Sequence, residues 1–214
     1  MYCKVFTFNP FFENTYVIYD DTRECIVVDP GCCDVVEQEQ LAAFIEKENL
    51  KPVRLLNTHC HVDHVLGNKF IFEKYQLLPE IHPDELPLLQ SLSDQSRMFG
   101  LTNVEPSPTP KVFLEPNQII RFGRSQLKVL YTPGHSPGEV SFYNMASRQL
   151  LAGDVIFQGS IGRTDLPGGS YELLMNSIHK QILILEDDVI IYPGHGPQTT
   201  IGREKEFNPF LQVN

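Results

Sequence analysis

The sequence predicts an α+β protein in which layers of β-sheet are covered by helices. Its apolar segments run in the order strands, helices, strands, helix, strand, helix, with no regular alternation of single strands and single helices. A doubly wound parallel sheet needs that alternation, so we expect a layered sandwich instead. The chain has 214 residues, which is enough for one sizeable domain, and we predict a single domain over residues 1–214.

The N-terminal part is predicted to form an antiparallel meander, then a helix and a further strand. Short apolar segments separated by turn residues predict three strands, at residues 3–8, 15–19 and 25–28. From Asp34 to about Glu48 the apolar side chains recur at helical spacing, which predicts a helix. Pro52 closes that unit ahead of the apolar strand 53–56.

Two more helices and an irregular crossing are predicted in the middle of the chain. Helical spacing covers residues 64–75, and again the segment from Asp84 to the break at Met98-Phe99-Gly100. Four prolines between residues 101 and 117 argue against regular structure there. We expect this stretch to be a surface crossing within one domain, because candidate ligands lie on both sides of it.

The C-terminal half returns to short strands separated by Gly, Pro and Ser. Four strands are predicted, at residues 118–122, 126–131, 140–144 and 149–151. A helix at about residues 170–185 follows, then the apolar strand 189–192 and a short tail of mixed polarity over residues 200–210.

Composition argues against several classes of function. Lys and Arg number 17 against 27 Asp and Glu, which gives a formal net charge of −10, so we expect no nucleic-acid partner. No segment has the form of a signal peptide or approaches the roughly 20 apolar residues of a membrane span, so we expect a cytoplasmic protein with no membrane partner. The five cysteines form no CxxC pair, which favours reduced thiols over a disulfide framework.

The segment Thr58-His59-Cys60-His61-Val62-Asp63-His64 concentrates four candidate metal ligands directly after a predicted strand. Extended spacing would point His59 and His61 to one side, and a turn into the next helix would bring Asp63 and His64 to a neighbouring point. Imidazole and carboxylate are ligands that Zn²⁺ and related ions prefer. Cys60 alternates with the two histidines, so we expect its side chain to point away as a small apolar filler.

Three further candidates each lie just past a short apolar strand and directly after a glycine. They are His135, Asp154 and His195, preceded by Gly134, Gly153 and Gly194. Glycine allows the unusual turns and close backbone approach that a metal-facing loop needs. Of the seven histidines, five lie in these strand-end loops, and only His82 and His179 lie in segments without ligand-like surroundings. The pattern therefore predicts that the strand ends converge on a metal site.

With these residues in this order, the chain resembles the metallo-β-lactamase superfamily. The spacing His59-x-His61-x-Asp63-His64, followed at wide intervals by His135, Asp154 and His195, carries a resemblance that covers nearly the whole chain. The segments Val28-Asp29-Pro30-Gly31, Thr132-Pro133-Gly134-His135-Ser136-Pro137-Gly138 and Ala152-Gly153-Asp154 are similar to recurring elements of that superfamily. The segment 161–169 is similar to a loop of glyoxalase II-like proteins (hydroxyacylglutathione hydrolases) and of persulfide dioxygenases.

The resemblance implies an αββα sandwich, with two mixed β-sheets packed face to face, helices on both outer faces and the site along one edge. It also implies two divalent metal ions, zinc first, with iron or manganese as alternatives. Seven residues would hold them: His59, His61 and His135 for one metal, Asp63, His64 and His195 for the other, and Asp154 as a bridge between both. Asp29 would be a hydrogen-bonding residue and not a ligand.

The resemblance implies a thioester hydrolase of glyoxalase II type, with a hydroxyacyl thioester or related small acyl molecule as its substrate. A metal-bridging hydroxide would attack the thioester carbonyl, and Asp63 would orient that hydroxide as the catalytic residue. Arg163 is the candidate for binding a substrate carboxylate, because a guanidinium pairs bidentately with carboxylates. The alternative for Arg163 is a structural role in the loop before Asp165.

Other activities fit the same residues. A persulfide dioxygenase-like enzyme would use a single iron held by two histidines and one carboxylate. Hydrolysis of other esters or lactones would use the same hydroxide. Glyoxalase II proper adds a C-terminal helical domain that contributes glutathione-binding residues, whereas fewer than twenty residues follow His195 here, so the thiol group of the substrate stays unassigned.

Overall fold

A computed structural model describes residues 1–102 and 104–212, which form two compact units. The first unit contains Met1–Leu114 and Arg121–Gln126, and the second contains Glu115–Ile120 and the chain from Leu127 onward. Asn103, Val213 and Asn214 belong to the predicted domain but lie outside the described residues. That residues 1–214 form a single domain stays a prediction.

The first unit is built on a mixed five-stranded sheet. Its strands are β1 (Tyr2–Phe8), β2 (Glu13–Tyr19), β3 (Glu24–Val28), β4 (Lys51–Leu56) and β5 (Pro79–Glu80), in that order across the sheet. The first three pair antiparallel, which confirms the predicted meander, and β4 and β5 add to β3 in parallel. β3 and β4 therefore end at the same edge, where Asp29 and the histidine segment follow them.

The helices of the first unit are short apart from the first one. They are α1 (Val35–Lys47), α2 (Val62–Val65), α3 (Asn68–Tyr75), a 3₁₀ helix (Pro83–Glu85), α4 (Leu86–Gln90) and α5 (Leu92–Met98). The Asp34 side chain caps α1 by accepting the N–H of Glu37. Leu41 and Ile45 of α1 are buried in one apolar cluster with Val27 and Leu55 of the sheet.

Two helices predicted as continuous are interrupted. The predicted helix 64–75 is wrong as a single element, because α2 and α3 are separated at Gly67, whose N–H donates to the Pro30 carbonyl at 2.7 Å. A Cβ at Gly67 would lie 2.4 Å from the Cys32 sulfur, so the chain needs glycine at this close approach. The helix predicted from Asp84 is likewise divided, with a break between α4 and α5 at Ser91.

A mixed six-stranded sheet lies mostly in the second unit. The strands are β6 (Ile119–Phe122), β7 (Ser125–Tyr131), β8 (Val140–Asn144), β9 (Gln149–Gly153), β12 (Ile190–Pro193) and β13 (Thr199–Thr200), in the sheet order β13-β12-β9-β8-β7-β6. β9 and β12 run parallel, so both end at one edge, and the other described pairs are antiparallel. A two-stranded hairpin, β10 (Ile156–Phe157) and β11 (Ser160–Ile161), follows β9.

The second unit also holds the predicted C-terminal helices. The predicted helix at about 170–185 is α6 (Tyr171–Ser177) continued by a turn of π-helix (Ile178–Ile182), and the tail contains α7 (Ile201–Phe207). Leu174, Ile178 and Ile182 bury one face of this pair in the core of the unit. The predicted fold class, two mixed β-sheets with helices, is confirmed. No helix in residues 1–102 and 104–212 is long and apolar enough to span a bilayer.

Candidate metal centre

Three histidines lie together after β4: His59 and His61 are in the segment that leads into α2, and His64 is in α2 itself. The ring centroids of His59 and His61 are 4.9 Å apart, and those of His59 and His64 are 4.1 Å apart. All three side chains are buried. Cys60, between the first two, packs with Val62 in an apolar cluster, so its predicted role as an apolar filler is confirmed.

Asp29 orients this segment from the end of β3. Its carboxylate accepts hydrogen bonds from the backbone N–H of Thr58 at 2.7 Å and from the Thr58 hydroxyl at 2.6 Å. The Thr58 hydroxyl donates its one hydrogen to Asp29, so it can accept from Nδ1 of His59, which lies 3.1 Å away. Nδ1 of His64 lies 3.2 Å from the same carboxylate. Both imidazoles therefore present a lone pair at Nε2, the form that binds metal.

Asp63 stands beside this group at the start of α2. One of its carboxylate oxygens is 3.8 Å from Nε2 of His64. Its backbone carbonyl accepts a hydrogen bond from the Asn9 side-chain amide at 3.0 Å. The first unit thus gathers four of the predicted ligands, His59, His61, Asp63 and His64, at the end of a single strand.

The second unit gathers the other three. One carboxylate oxygen of Asp154 lies 3.5 Å from Nε2 of His135 and 3.5 Å from Nε2 of His195. The side chains of His135 and Asp154 are buried, and that of His195 is 27% exposed, which leaves one side open to solvent. Asp154 therefore lies between two candidate imidazole ligands, and its role as a bridge between two metals stays a prediction.

The glycines before these ligands serve different purposes. Gly134 has φ +139°, and a Cβ on it would lie 2.2 Å from the backbone nitrogen of Leu174, so only glycine lets the His135 loop pack on α6. Gly153 also has a positive φ, +57°. Gly194 instead donates its N–H to the Gly153 carbonyl at 2.7 Å, which ties the His195 loop to the residue before Asp154.

Arg163 contacts the site through its backbone and pairs with Asp165 through its side chain. Its carbonyl oxygen is 2.8 Å from Nδ1 of His135, so Nδ1 donates and Nε2 is the coordinating nitrogen. Its guanidinium makes two 2.7 Å hydrogen bonds to the carboxylate of Asp165. The hydrogen bond from Arg163 lowers the pKa of Asp165 to about 2.

The two histidines outside the predicted site have other surroundings. His82 caps the 3₁₀ helix, where its Nδ1 accepts the N–H of Asp84 at 3.3 Å, and burial lowers the pKa of its imidazole. His179 lies on the exposed side of the π-helical turn. This matches the expectation that neither sits in ligand-like surroundings.

Three partner residues were missed by the sequence reasoning. Glu139 is fully buried and its carboxylate accepts the backbone N–H of Asp154 at 2.7 Å. Glu85 and Gln95 bond the backbone of the histidine segment in the same way. The position of Glu139 directly after the segment 132–138 was the one feature of the sequence that could have pointed to this role. Its burial could not be predicted, because it arises from tertiary packing.

The donor set fits a divalent transition metal. Neutral imidazole nitrogens and carboxylate oxygens are the ligands that zinc, iron and manganese accept, and each unit holds both types close together. The hydrogen bonds at Nδ1 of His59, His64 and His135 fix the tautomers that coordination requires. That all seven residues together hold two ions stays a prediction.

Comparisons with known proteins identify the family of this chain. A family model described as the metallo-beta-lactamase superfamily matches residues 8–195. Hydroxyacylglutathione hydrolase GloC of Haemophilus influenzae is 37% identical over 213 residues, which cover 99% of this chain and 98% of that protein.

Two solved structures are similar over almost their whole length. BLEG-1 B3 metallo-beta-lactamase has a TM-score of 0.90 at 37% identity, covering 99% of this chain and 100% of that one. TTHA1623, solved in a di-iron-bound form, has a TM-score of 0.87 at 38% identity, covering 97% of this chain and 100% of that one. The chain belongs to the metallo-β-lactamase superfamily.

Proposed function

We propose that this protein is a dinuclear metal-dependent hydrolase, a thioesterase of glyoxalase II type that acts on hydroxyacyl thioesters. The observation that carries the two-metal part is the position of Asp154, with one carboxylate oxygen 3.5 Å from Nε2 of both His135 and His195. The thioester part is supported by the 37% identity to a protein named hydroxyacylglutathione hydrolase over almost the full length of both chains.

The proposed ligands divide into two sets that share one carboxylate. One ion would be held by His59, His61 and His135, the other by Asp63, His64 and His195, and Asp154 would serve both. This donor set suits zinc first, and iron or manganese as alternatives. Iron gains support from TTHA1623, which has been solved in a di-iron-bound form.

The reaction would add water to the thioester carbonyl carbon and break the C–S bond, giving a carboxylic acid and a thiol. When bound, two divalent cations supply a water of lowered pKa and positive charge for the carbonyl oxygen. Asp63 would accept a hydrogen bond from that water and orient it towards the carbonyl carbon. A thiolate leaves readily, so no side chain has to protonate it.

The role of Asp63 can be tested by Asp63→Asn, which keeps the size of the side chain and removes its charge. We expect hydrolysis to fall by about a hundredfold or more, as for a group that positions the nucleophile. Metal content per chain is measured in parallel by elemental analysis. Full metal content together with full turnover in the variant would show that Asp63 does not orient the water.

Arg163 is proposed to bind a carboxylate on the substrate. Its pair with Asp165 engages Nε and one terminal nitrogen. A guanidinium has five N–H donors, so the other terminal nitrogen can donate to a second carboxylate while the pair persists. In a hydroxyacylglutathione the free carboxylates lie on the glutathione portion, because the carboxyl of the acyl portion forms the thioester.

A substrate panel tests the proposed function directly. The purified protein, with its metal content measured, is given a hydroxyacyl thioester of glutathione, the same acyl group on a different thiol, a matching oxygen ester, and a lactone. We expect thioester cleavage to have the highest kcat/KM, with thiol release followed by a thiol-reactive dye. One bound iron with oxygen uptake on a persulfide, and no thioester cleavage, would replace this proposal with the dioxygenase alternative.

A second candidate is hydrolysis of a cyclic acyl substrate. It is favoured by the similarity to BLEG-1, which is named a B3 metallo-beta-lactamase and is 37% identical over almost the whole of both chains. The same site would open a β-lactam or lactone ring by addition of water to the ring carbonyl. A β-lactam added to the panel separates the two candidates, since the preferred substrate is the one with the larger kcat/KM.

A further inference from the structure

The helical segment that follows β5 holds the backbone of the histidine segment through two side chains. Gln95, on α5, accepts the N–H of Val62 at 2.9 Å with its amide oxygen. Its amide nitrogen donates to the carbonyl of Cys60 at 3.2 Å. These two hydrogen bonds lie on either side of His61, so one side chain fixes the peptide groups before and after a predicted ligand.

Glu85, in the 3₁₀ helix, completes this attachment. Its side chain is fully buried, and its carboxylate accepts the N–H of Cys60 at 2.7 Å. Both backbone polar groups of Cys60, the residue between His59 and His61, are therefore bonded by side chains of the segment Pro83–Met98.

The need for these bonds follows from the backbone around Cys60. Residues 57–61 lie between β4 and α2 and belong to neither element, so no regular ladder or helix fixes their dihedral angles. Cys60 and Val62 are buried, and buried backbone groups need partners. Side chains that satisfy these groups also determine the direction in which the two flanking imidazoles leave the chain.

The helical segment is itself anchored at this point. The Gln95 amide nitrogen also lies 2.8 Å from the Leu88 carbonyl, at the break between α4 and α5. Leu89 and Leu92, on either side of that break, pack in the same apolar cluster as the Cys60 side chain. The break that interrupts the predicted helix therefore coincides with the attachment to the histidine segment.

We propose that Gln95, supported by Glu85, is a positioning residue that sets the orientation of His59 and His61 for metal binding. The inference rests on the proposed function only in taking these histidines as metal ligands. Gln95 would act through its hydrogen bonds to the backbone of Cys60 and Val62, and it is not one of the proposed ligands. Outer partners of metal ligands commonly change metal affinity by about 10–100-fold when removed.

The test uses Co²⁺ as the probe, because its visible absorption reports the geometry of the ligands. Apo-protein is titrated with Co²⁺ in the unaltered chain and in Gln95→Met, which keeps the side-chain length but loses both strong hydrogen bonds. Gln95→Glu retains the acceptor for Val62 and loses the donor to Cys60. Gln90→Met, at an exposed glutamine of α4, is the matched control.

We expect Gln95→Met to weaken Co²⁺ binding by about tenfold or more and to shift the absorption bands, with Gln95→Glu intermediate and Gln90→Met unchanged. If Gln95→Met fails to fold, Gln95→Glu carries the test. The inference would be overturned if the folded variant bound Co²⁺ within twofold of the unaltered chain and had an unchanged spectrum. A lower Tm with these results would mean that Gln95 contributes only to stability.

The same experiment distinguishes failure of this inference from failure of the proposed function. An unaltered chain that binds Co²⁺ normally but cleaves no thioester removes the thioesterase and leaves the positioning role of Gln95 intact. An unaltered chain that binds no Co²⁺ overturns both.

Discussion

His59, His64 and His135 each have a hydrogen-bond partner at Nδ1 that orients the imidazole ring. The Asp29 carboxylate is within hydrogen-bond distance of Nδ1 of His64, and the Arg163 carbonyl is within hydrogen-bond distance of Nδ1 of His135. A histidine held at Nδ1 has one tautomer and one ring orientation, so its Nε2 is fixed before any metal arrives. At the residue scale, this pre-orientation is the main support for a metal centre.

Replacement of Arg163 by Met separates its two possible roles. We expect KM for a carboxylate-bearing thioester to rise by about tenfold with little change in kcat, because one charged hydrogen-bonding partner of the substrate is lost. The exposed pair with Asp165 should add little to stability, so Tm should stay the same. Steady-state kinetics of both proteins give KM and kcat, and thermal melts give Tm. An unchanged KM with a lower Tm would mean that Arg163 only stabilises its loop and does not bind the substrate.

Asp20 gives a pH dependence of stability away from the site. Burial raises the pKa of its carboxyl, but hydrogen bonds from Thr22, from the Arg124 backbone and from Ser125 outweigh this and lower it from 3.8 to about 2. Since folding lowers this pKa, the ionised group stabilises the folded state above pH 3.8, and the stabilisation is lost as the pH falls towards 2.

Asp20→Asn should therefore cost about 1–2 kcal/mol of unfolding free energy at pH 7. The difference from the unaltered chain should shrink between pH 4 and pH 2, which urea unfolding at a series of pH values would show. A difference that stays constant down to pH 2 would mean that the Asp20 carboxylate does not have a lowered pKa.

At the scale of elements, the site depends on where strands end and what packs behind the loops that follow. The loop before His135 lies on α6: the Gly134 carbonyl accepts the N–H of Ser170 at 2.7 Å, and the Ser177 hydroxyl donates to the Pro133 carbonyl at 2.7 Å. A helix remote in sequence thus fixes a ligand loop.

Gly134→Ala should destabilise the fold strongly. The added Cβ would meet the Leu174 backbone at 2.2 Å, and φ of +139° is strained for alanine. Gly159→Ala is the matched control, because Gly159 also has a positive φ but open space around its Cβ position. We expect Gly134→Ala to lose about 2 kcal/mol more than Gly159→Ala in urea unfolding. Equal losses would mean that the contact with α6 is readily relieved.

Sequence periodicity predicted these elements well where they are long and poorly where tertiary contacts divide them. The meander, α1 and β8 agree with expectation within one or two residues. The breaks at Gly67 and Ser91 arise from contacts with distant segments, which helical spacing does not contain. The two-residue strands β10, β11 and β13 were not predicted, because two residues are too few to show a periodic pattern.

At the scale of the whole molecule, the fold class and the candidate ligands could be predicted because both follow from local patterns. Alternating apolar segments predict strands, and His or Asp directly after a strand end predicts a shared edge. The hydrogen-bond partners could not be predicted: Glu85, Gln95 and Glu139 are ordinary polar residues in the sequence, and only folding brings them against the backbone of a ligand segment.

The most direct test of the two-metal hydrolase is the number of divalent ions bound per chain in hydrolytically active protein, compared between the unaltered chain and Asp154→Asn. Elemental analysis on gel-filtered samples gives the ratio, and thioester cleavage is recorded on the same samples. We predict two ions per chain in the unaltered protein, and loss of at least one ion with about a hundredfold or greater loss of hydrolysis in Asp154→Asn. Full hydrolysis with a single bound ion, or an Asp154→Asn variant that keeps both ions and full turnover, would contradict the account.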